Sequence, residues 1–529
     1  MNEENELMKR KIIDFCLENG ILLSSEILEN IDSLSSLSGF DINQLSASSQ
    51  LVLDRSIFRQ DEGQQGYATE KKQVSVKITN YPNKNEKPNE NSPLLASDEP
   101  KAHALANEAS LPYTNVDILS SYDEKPKKRD VQDFIDHFLA RYKSIEKILR
   151  NRQELVNATT ITRVLQRKEK ESVSIIGMVT DKQLTKNENL SLKLEDPTGE
   201  INVVVNKSKP QLYALAKNIT FDEVIGVVGV SSNKVIFANN IIWPDAPSRE
   251  LKKCDEEVYA IFLSDMHVGS KYFMREKFER FLKWINGESG NDEQRHIAAN
   301  TRYVIIAGDI VDGVGIYPNQ ENELDIIDIR DQYSECARLL DQIPKRMKLI
   351  ICPGNHDAMR LSEPQPVFYR DLSGVLLDLE NAFFVTNPAI VNLHSSKNFQ
   401  GMEIMLYHGA SFDYYIANIE SIRFNGGYDR ADLVMKFLIQ RRHLAPAHNS
   451  TLYIPDPDRD PLVIDRLPDF LVTGHLHKTA VAQYKSTTLI CGSCWQDITA
   501  YQLKRGHHPE PGRVPIANLK TREMKILRF

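Results

Sequence analysis

The chain has 529 residues, 41% of them hydrophobic and 26% charged, which is enough apolar material for several cores and, at about 150 residues per domain, predicts roughly three or four domains. Its 65 Lys and Arg against 73 Asp and Glu leave a formal charge of -8, which excludes a generally basic nucleic-acid wrapper but leaves open a cleft charged by metals or by a basic partner. Six scattered cysteines exclude a disulfide-dense secreted scaffold, the start MNEENELMKRKI lacks the apolar stretch of a signal peptide, and no apolar run approaches the roughly 20 residues of a membrane span, so a soluble cytoplasmic protein is expected.

Residues 1–50 are predicted to form a small helical module. Leu7, Ile12, Phe15, Leu22, Ile27, Leu28 and Ile31 supply its apolar positions, Gly20 ends one segment, and Ser24-Ser25-Glu26 can start another. Such a module is either a plain fold element or a holder for a partner. Residues 51–127 turn polar, with DEGQQGYATEKKQ and NYPNKNEKPNENSP, and are expected to be a flexible linker whose lysines serve solvation. Helical periodicity returns over residues 128–169, where Phe134, Phe138, Tyr142, Ile145 and Leu149 predict a helical connector.

Between residues 170 and 250 the period changes to that of strands. SVSIIGMVTDKQ, LSLKLEDPTGEINVVVN, DEVIGVVGVSS and KVIFANNIIWP are β-rich runs separated by the turn signals DPTG and SSNK, and PQLYALAKN reads as a short helix. A small β-barrel of the oligonucleotide-binding type is expected. In it Tyr213, Phe237 and Trp243 either stack on a ligand or pack a core or domain interface. From residue 251 to 529, apolar strand-like runs alternate with amphipathic segments such as REKFERFLKWI, predicting an α/β layered domain. The expected fold class is therefore multidomain α/β, with a helical amino-terminal module, a barrel and an α/β layered domain.

Five of the apolar runs in the last domain end at polar groups able to hold metal. They are Asp265 with His267, Asp309 with Asp312, Asn355-His356-Asp357, His408, and His475 with His477. In an extended backbone, residues two apart point the same way, so Asp265 and His267, like His475 and His477, are expected to share a cavity while Met266 and Leu476 face the apolar side. A mixed oxygen and imidazole donor set without thiolates suits Mn, Fe or Zn ions better than Mg alone. Two such divalent metal ions could hold a hydroxide and neutralise a phosphate.

The ordered pattern Asp-x-His, Gly-Asp-x-x-Asp, Gly-Asn-His-Asp, a single histidine and Gly-His-x-His between Asp265 and His477 resembles the calcineurin-like metallophosphoesterase superfamily. The resemblance implies one metal on Asp265, His267, Asp309 and His477, with Asp309 bridging to a second on Asn355, His408 and His475. His356 is implied as a catalytic contact to phosphate or to the leaving oxygen, with Asp357 as its companion. The domain order, together with RRHLAPAHNS, LVTGHLHKT and VPIANLKTREMKILRF, also resembles the small subunits of the archaeal D-family DNA polymerases. That resemblance implies a metal-dependent 3′-to-5′ exonuclease that releases 5′-mononucleotides. It also implies a large catalytic polymerase subunit and DNA with a 3′ end as partners, a replication clamp reached through the complex, and a place at the replication fork or nucleoid. A metallophosphoesterase for another ester and a mainly structural polymerase subunit remain as alternatives.

Three further features carry less. Cys491 and Cys494 have the spacing of a redox or zinc half-site but lack a second pair, so ordinary packing is expected. Arg423 and Arg430, near Gly426-Gly427, either solvate a helix or touch DNA. Arg441, Arg442 and His443 are read as a short basic patch, serving either phosphate contact or a salt-bridged surface.

Overall fold

The structure is a computed structural model that describes residues 115–122, 127–167, 170–504 and 506–529, together with short strands at 22–23, 52–53 and 76–80. The chain divides into two units, Met1–Lys71 and Lys72–Phe529. In the first, Leu22–Leu23 pairs in parallel with Val52–Leu53. The helical module expected over residues 1–50 otherwise lies outside the described residues.

In the second unit, five strands, Glu171–Leu184, Leu190–Asp196, Gly199–Val205, Val224–Ser232 and Val235–Ile242, pair in the order first, second, third, fifth, fourth. The fourth pairs back onto the first, so the sheet closes on itself. Alternation turns Leu192, Leu194, Val203, Val227 and Ile236 inward, where they are fully buried. Asp196 Oδ1 accepts from the backbone N–H groups of Thr198 and Gly199 at 2.7 and 3.0 Å, which pins the DPTG turn. Of the three aromatic residues singled out here, Phe237 is 47% exposed, whereas Tyr213 and Trp243 pack partly against the barrel core.

The α/β domain contains two facing sheets. One has seven strands in the order Ala382–Phe384, Lys348–Cys352, Thr301–Ala307, Tyr259–Leu263, Arg513–Asn518, Met524–Arg528, Val76–Asn80. The other has six, in the order Ala480–Tyr484, Thr487–Cys491, Phe470–Thr473, Met402–Leu406, Ala389–Leu393, Val116–Ser121. Phe262, Tyr303, Ile305 and Ile350 of the first sheet meet Val391, Ile404, Phe470 and Val472 of the second in one core. The outer faces are covered by helices, among them Arg275–Ile285 and Ile329–Leu340 on one side and Phe412–Asn418 and Ala431–Arg441 on the other. Burial on both faces explains why central strands such as YAIFL and TRYVIIA read as continuous apolar runs.

Two edge strands correct the expected linker of residues 51–127. Val116–Ser121 pairs antiparallel with Ala389–Leu393, and Val76–Asn80 pairs in parallel with Met524–Arg528. Both are short and partly polar, so nothing local distinguishes them from loop. Their stabilisation comes from strands far along the chain.

The connector helix Val131–Leu149 opens with a reciprocal capping box between Asp130 and Asp133. One face sets Tyr142, Ile145 and Leu149 against the barrel. A second carries His137 and Arg141 into the α/β domain, where Arg141 Nε, His443 Nε2 and His137 Nε2 converge on Asp460 Oδ2 at 2.6, 2.8 and 3.3 Å. The expected basic patch is accordingly corrected: Arg441, Arg442 and His443 are all buried. Arg441 lies 3.3 Å over the Phe437 ring and forms a 2.7 Å ion pair with Glu223 of the barrel, whose other oxygen accepts from Trp243 Nε1 at 3.0 Å. Arg441 thus ties the barrel to the α/β domain, and burial leaves all three side chains unavailable to phosphate. Cys491 and Cys494 are buried free thiols pushed up by that burial, Cys491 to about 12, which keeps Cys491 an unreactive packing group at neutral pH.

Candidate metal centre

The polar groups identified in the sequence leave the ends of neighbouring strands and meet at one edge of the sandwich. Asp265 and His267 follow Tyr259–Leu263, Asp309 follows Thr301–Ala307, Asn355 and His356 follow Lys348–Cys352, His408 follows Met402–Leu406, and His475 and His477 follow Phe470–Thr473. The means of convergence differs from expectation. Asp265, His267, Asp309, His475 and His477 all have left-handed backbones, with φ of 49°, 51°, 50°, 69° and 56°, so they are not continuations of extended strands. Each such residue costs on the order of 1 kcal/mol. The cost is offset by cross-loop hydrogen bonds, including Asp265 N–H to Gly308 O and His267 N–H to Asp309 O, both 3.0 Å. Met266 and Leu476 do face the apolar cores.

The motif glycines have a steric reason. A Cβ on Gly354 would lie 2.2 Å from Asp309 Oδ1, and one on Gly474 would lie 2.5 Å from Asp265 Oδ2. Only a bare backbone lets these loops close on the carboxylates.

Three overlapping triads have ligand atoms within 4.8 Å of one another: Asp265, His267 and His477; His267, Asp309 and His356; and Asp265, Asp309 and His408. His267 Nδ1 is 3.0 Å from Asp312 Oδ1, which leaves Nε2 facing His477 Nε2 at 3.0 Å. His408 Nδ1 donates to Ala307 O at 2.8 Å, which turns its Nε2 into the site, 3.2 Å from Asp309 Oδ2 and 2.9 Å from Asn355 Oδ1. His475 is reversed: its Nε2 is 3.0 Å from Asp413 Oδ2, and Nδ1 faces Asn355 Oδ1 at 2.9 Å. Imidazole nitrogens and carboxylate oxygens brought this close in a largely buried site are a mixed donor set that divalent cations fit.

Burial raises the Asp265 carboxyl; it pushes Asp309 the same way, but the neighbouring His408, itself raised to about 10 by Asp309 despite its own burial, outweighs it and holds Asp309 well below the carboxylate range. Burial and the neighbouring His267 keep His477 well below an ordinary imidazole, as a neutral ligand must be.

His356 lies in the second triad, and its Nδ1 donates to the Asp312 carbonyl at 2.8 Å. Asp357, expected to orient the site from behind His356, accepts the backbone N–H groups of Asp309 and Gly354 at 3.0 and 2.8 Å and so shapes the loops. Four supporting residues escaped the sequence reading. Gln320, from the insertion after the Gly-Asp motif, and Gln496 donate to the Asp312 carboxylate at 3.0 and 2.7 Å. The Gln502 amide sits 3.0 Å from His477 Nδ1, and Asp413 holds His475.

Asp413 begins the helix Phe412–Asn418, outside every motif. Because its carboxylate accepts the Nε2 proton of His475, it fixes the tautomer that frees Nδ1. Asp413→Ala is expected to weaken the tighter or weaker of two divalent-ion binding steps by about 10- to 100-fold while leaving the other unchanged. A calorimetric Mn²⁺ titration of the folded variant checks this, and two unaltered steps would dismiss the role.

Comparison with known proteins places these features among relatives. The calcineurin-like phosphoesterase family matches residues 260–479, and the OB-fold nucleic acid binding domain matches residues 173–234. The chain is 39% identical over 400 residues to a DNA polymerase II small subunit of Methanothermobacter thermautotrophicus, covering 76% of this chain and 80% of that one. It is 37% identical over 391 residues to the protein of that description from Methanocaldococcus jannaschii, covering 74% and 64% of the two chains. The counterpart from Archaeoglobus fulgidus is 36% identical over 387 residues, covering 73% and 75%.

Proposed function

Because the chain belongs to the archaeal DNA polymerase II small-subunit family, we propose that it is the metal-dependent 3′-to-5′ exonuclease of a two-subunit DNA polymerase and removes 5′-mononucleotides from DNA ends. The observation that carries the reading is the complete donor set at one sandwich edge. A purely structural subunit has no use for seven buried or half-buried ligand candidates, five of them held in costly backbone conformations.

Asp265, His267, Asp309 and His477 would hold one ion, and Asp309, Asn355, His408 and His475 the other. When bound, two divalent cations, which we assign as Mn²⁺, supply charge neutralisation at the phosphate and activation of water. The protein's own part is positional. Asp312 and Asp413 select ring tautomers, while Asp357 and Gly354 hold the Asp309 loop. His356, anchored through Nδ1, turns Nε2 toward a phosphate oxygen or the departing 3′ oxygen. In this reading residues 170–250 form the barrel module, residues 251–529 the catalytic domain, and residues 128–169 the connector. The partners are the large polymerase subunit and a DNA 3′ end, at the replication fork. No described helix is long and apolar enough to cross a membrane.

The test is the polarity of cleavage by the purified chain with Mn²⁺, on single strands labelled at either end. We expect stepwise shortening from the 3′ end with release of 5′-mononucleotides, and faster removal of mismatched 3′ ends once the large subunit is added. Equal cutting at internal phosphates rules out the exonuclease, and a chain inert on DNA yet active on another phosphate ester favours the general phosphoesterase.

A further inference from the structure

The connector helix has a third face that neither domain covers among the described residues. Val131 and Ile135, one turn apart, are 76% and 55% exposed. Single exposed apolar residues are ordinary on any surface. Here they run into a half-open cavity of about 530 Å³ between the helix and the barrel, floored by Ile135, Phe138 and Met178. Phe221, 45% exposed, adjoins the Asp222 side of that cavity.

The rim has one sign. Glu195, Asp196 and Asp222 line the cavity, and among the described residues no Lys or Arg does. Asp196 caps the DPTG turn and the backbone of Ile161, and Asp222 accepts the His448 N–H at 2.8 Å, so neither is neutralised by a cation. Glu195 has no ion pair among the described residues, and burial together with Asp222 and Glu200 raises its carboxyl above the usual range. Like charges held beside apolar surface are unfavourable in the free chain and become favourable against an incoming cation. The anionic rim also repels a phosphate backbone, which separates this groove from any DNA path.

We propose that this groove is a docking site for a basic amphipathic segment of the large polymerase subunit, its apolar side chains seated against Ile135, Phe138 and Met178 and its Lys or Arg residues meeting Glu195 and Asp222. The inference rests on the polymerase-subunit reading. A helix laid in a groove buries alternate turns of apolar side chain and leaves its flanks to charge pairing, which is the pattern this surface offers. The site lies on the connector and barrel, apart from the ligand residues, so its loss spares the chemistry.

The experiment measures association of the full chain with the purified large subunit at fixed ionic strength. It compares wild type, Ile135→Asp, Glu195→Lys and a control, Val375→Asp, whose parent side chain is 59% exposed on the helix Arg370–Leu377. Ile135→Asp and Glu195→Lys are expected to weaken binding at least tenfold, with the control unchanged and nuclease activity of the isolated chain retained. Ile135→Ser replaces the aspartate variant should that one lose its circular-dichroism signature. Wild-type affinity in both groove variants overturns the docking site while leaving the polymerase reading intact. Failure of the wild type to bind the large subunit overturns both. A dimer of the chain alone that Ile135→Asp dissociates assigns the groove to a second copy, and that result also overturns the proposal.

Discussion

Asp309→Asn is expected to lower nuclease turnover by at least about 100-fold and to reduce bound divalent metal, with the folded-state spectrum unchanged. The side chain is buried and sits in two of the three triads, 3.2 Å from His408 Nε2 and 3.9 Å from His267 Nε2. Asparagine preserves size and one carbonyl oxygen but removes the charge, and with Oδ1 held by the His356 N–H its amide nitrogen, which cannot ligate a cation, would take the place of Oδ2 beside His408 and His267. The His356 N–H, which donates to Asp309 Oδ1 at 2.8 Å, can still be satisfied by the amide oxygen, so the loop keeps its anchor. Metal content by mass spectrometry alongside end-labelled DNA cleavage checks the expectation. Full occupancy with full activity would remove Asp309 from the bridge.

The second large effect is on stability. Asp460→Ala should destabilise the protein by about 3–5 kcal/mol, because it strips the carboxylate on which three buried side chains, Arg141, His137 and His443, converge. Arg141 keeps its hydrogen bond to Pro446 O at 2.7 Å but loses its counter-charge. A fall in urea midpoint or melting temperature measures this, and a change within 0.5 kcal/mol, roughly that of an ordinary surface substitution, would discount the cluster. The same cluster gives a pH signature. Burial and the Arg141 charge lower His443 to about 4, below the roughly 6.5 of an exposed imidazole. Between these values the unfolded chain binds a proton that the folded chain refuses. Stability from this group is therefore complete above about pH 6.5 and falls steadily as the pH drops toward 4. A folded-state titration of His443 by NMR reads it directly.

The strand ends that carry the candidate ligands were legible because each joins a local signal, an apolar run, to a polar group, and because five such joints recur in order. The sequence did not disclose how they converge. Extended alternation predicts the right partners for Asp265 with His267 and for His475 with His477, yet the backbone reaches that arrangement through left-handed residues. Two residues apart is a shared side in either case, so pattern could not separate them. Asp413, Gln496 and Gln502 have no mark in the sequence, since a residue that orients a ligand is selected by its place in space and its neighbours along the chain are unremarkable. For Arg441, Arg442 and His443 the salt-bridged alternative was nearer than phosphate contact, but their burial had no signal in the sequence. Three consecutive basic residues look solvated until Glu223 and Asp460, from distant segments, are folded against them.

The edge strand Val116–Ser121 has a consequence for synthesis on the ribosome. Its partner, Ala389–Leu393, lies beyond the whole barrel, and the hydrogen bond between Ser121 and Thr386 spans 265 residues. At roughly 5–20 residues per second, tens of seconds separate the emergence of the two. The barrel's strands all lie within residues 171–242, so it can close during that interval, while the six-stranded sheet must wait with its first strand already outside the tunnel and unpaired. A fragment starting at residue 251 lacks that strand altogether and leaves the Ala389–Leu393 edge open to other chains, so recombinant fragments of the catalytic half should include residues from 115 onward.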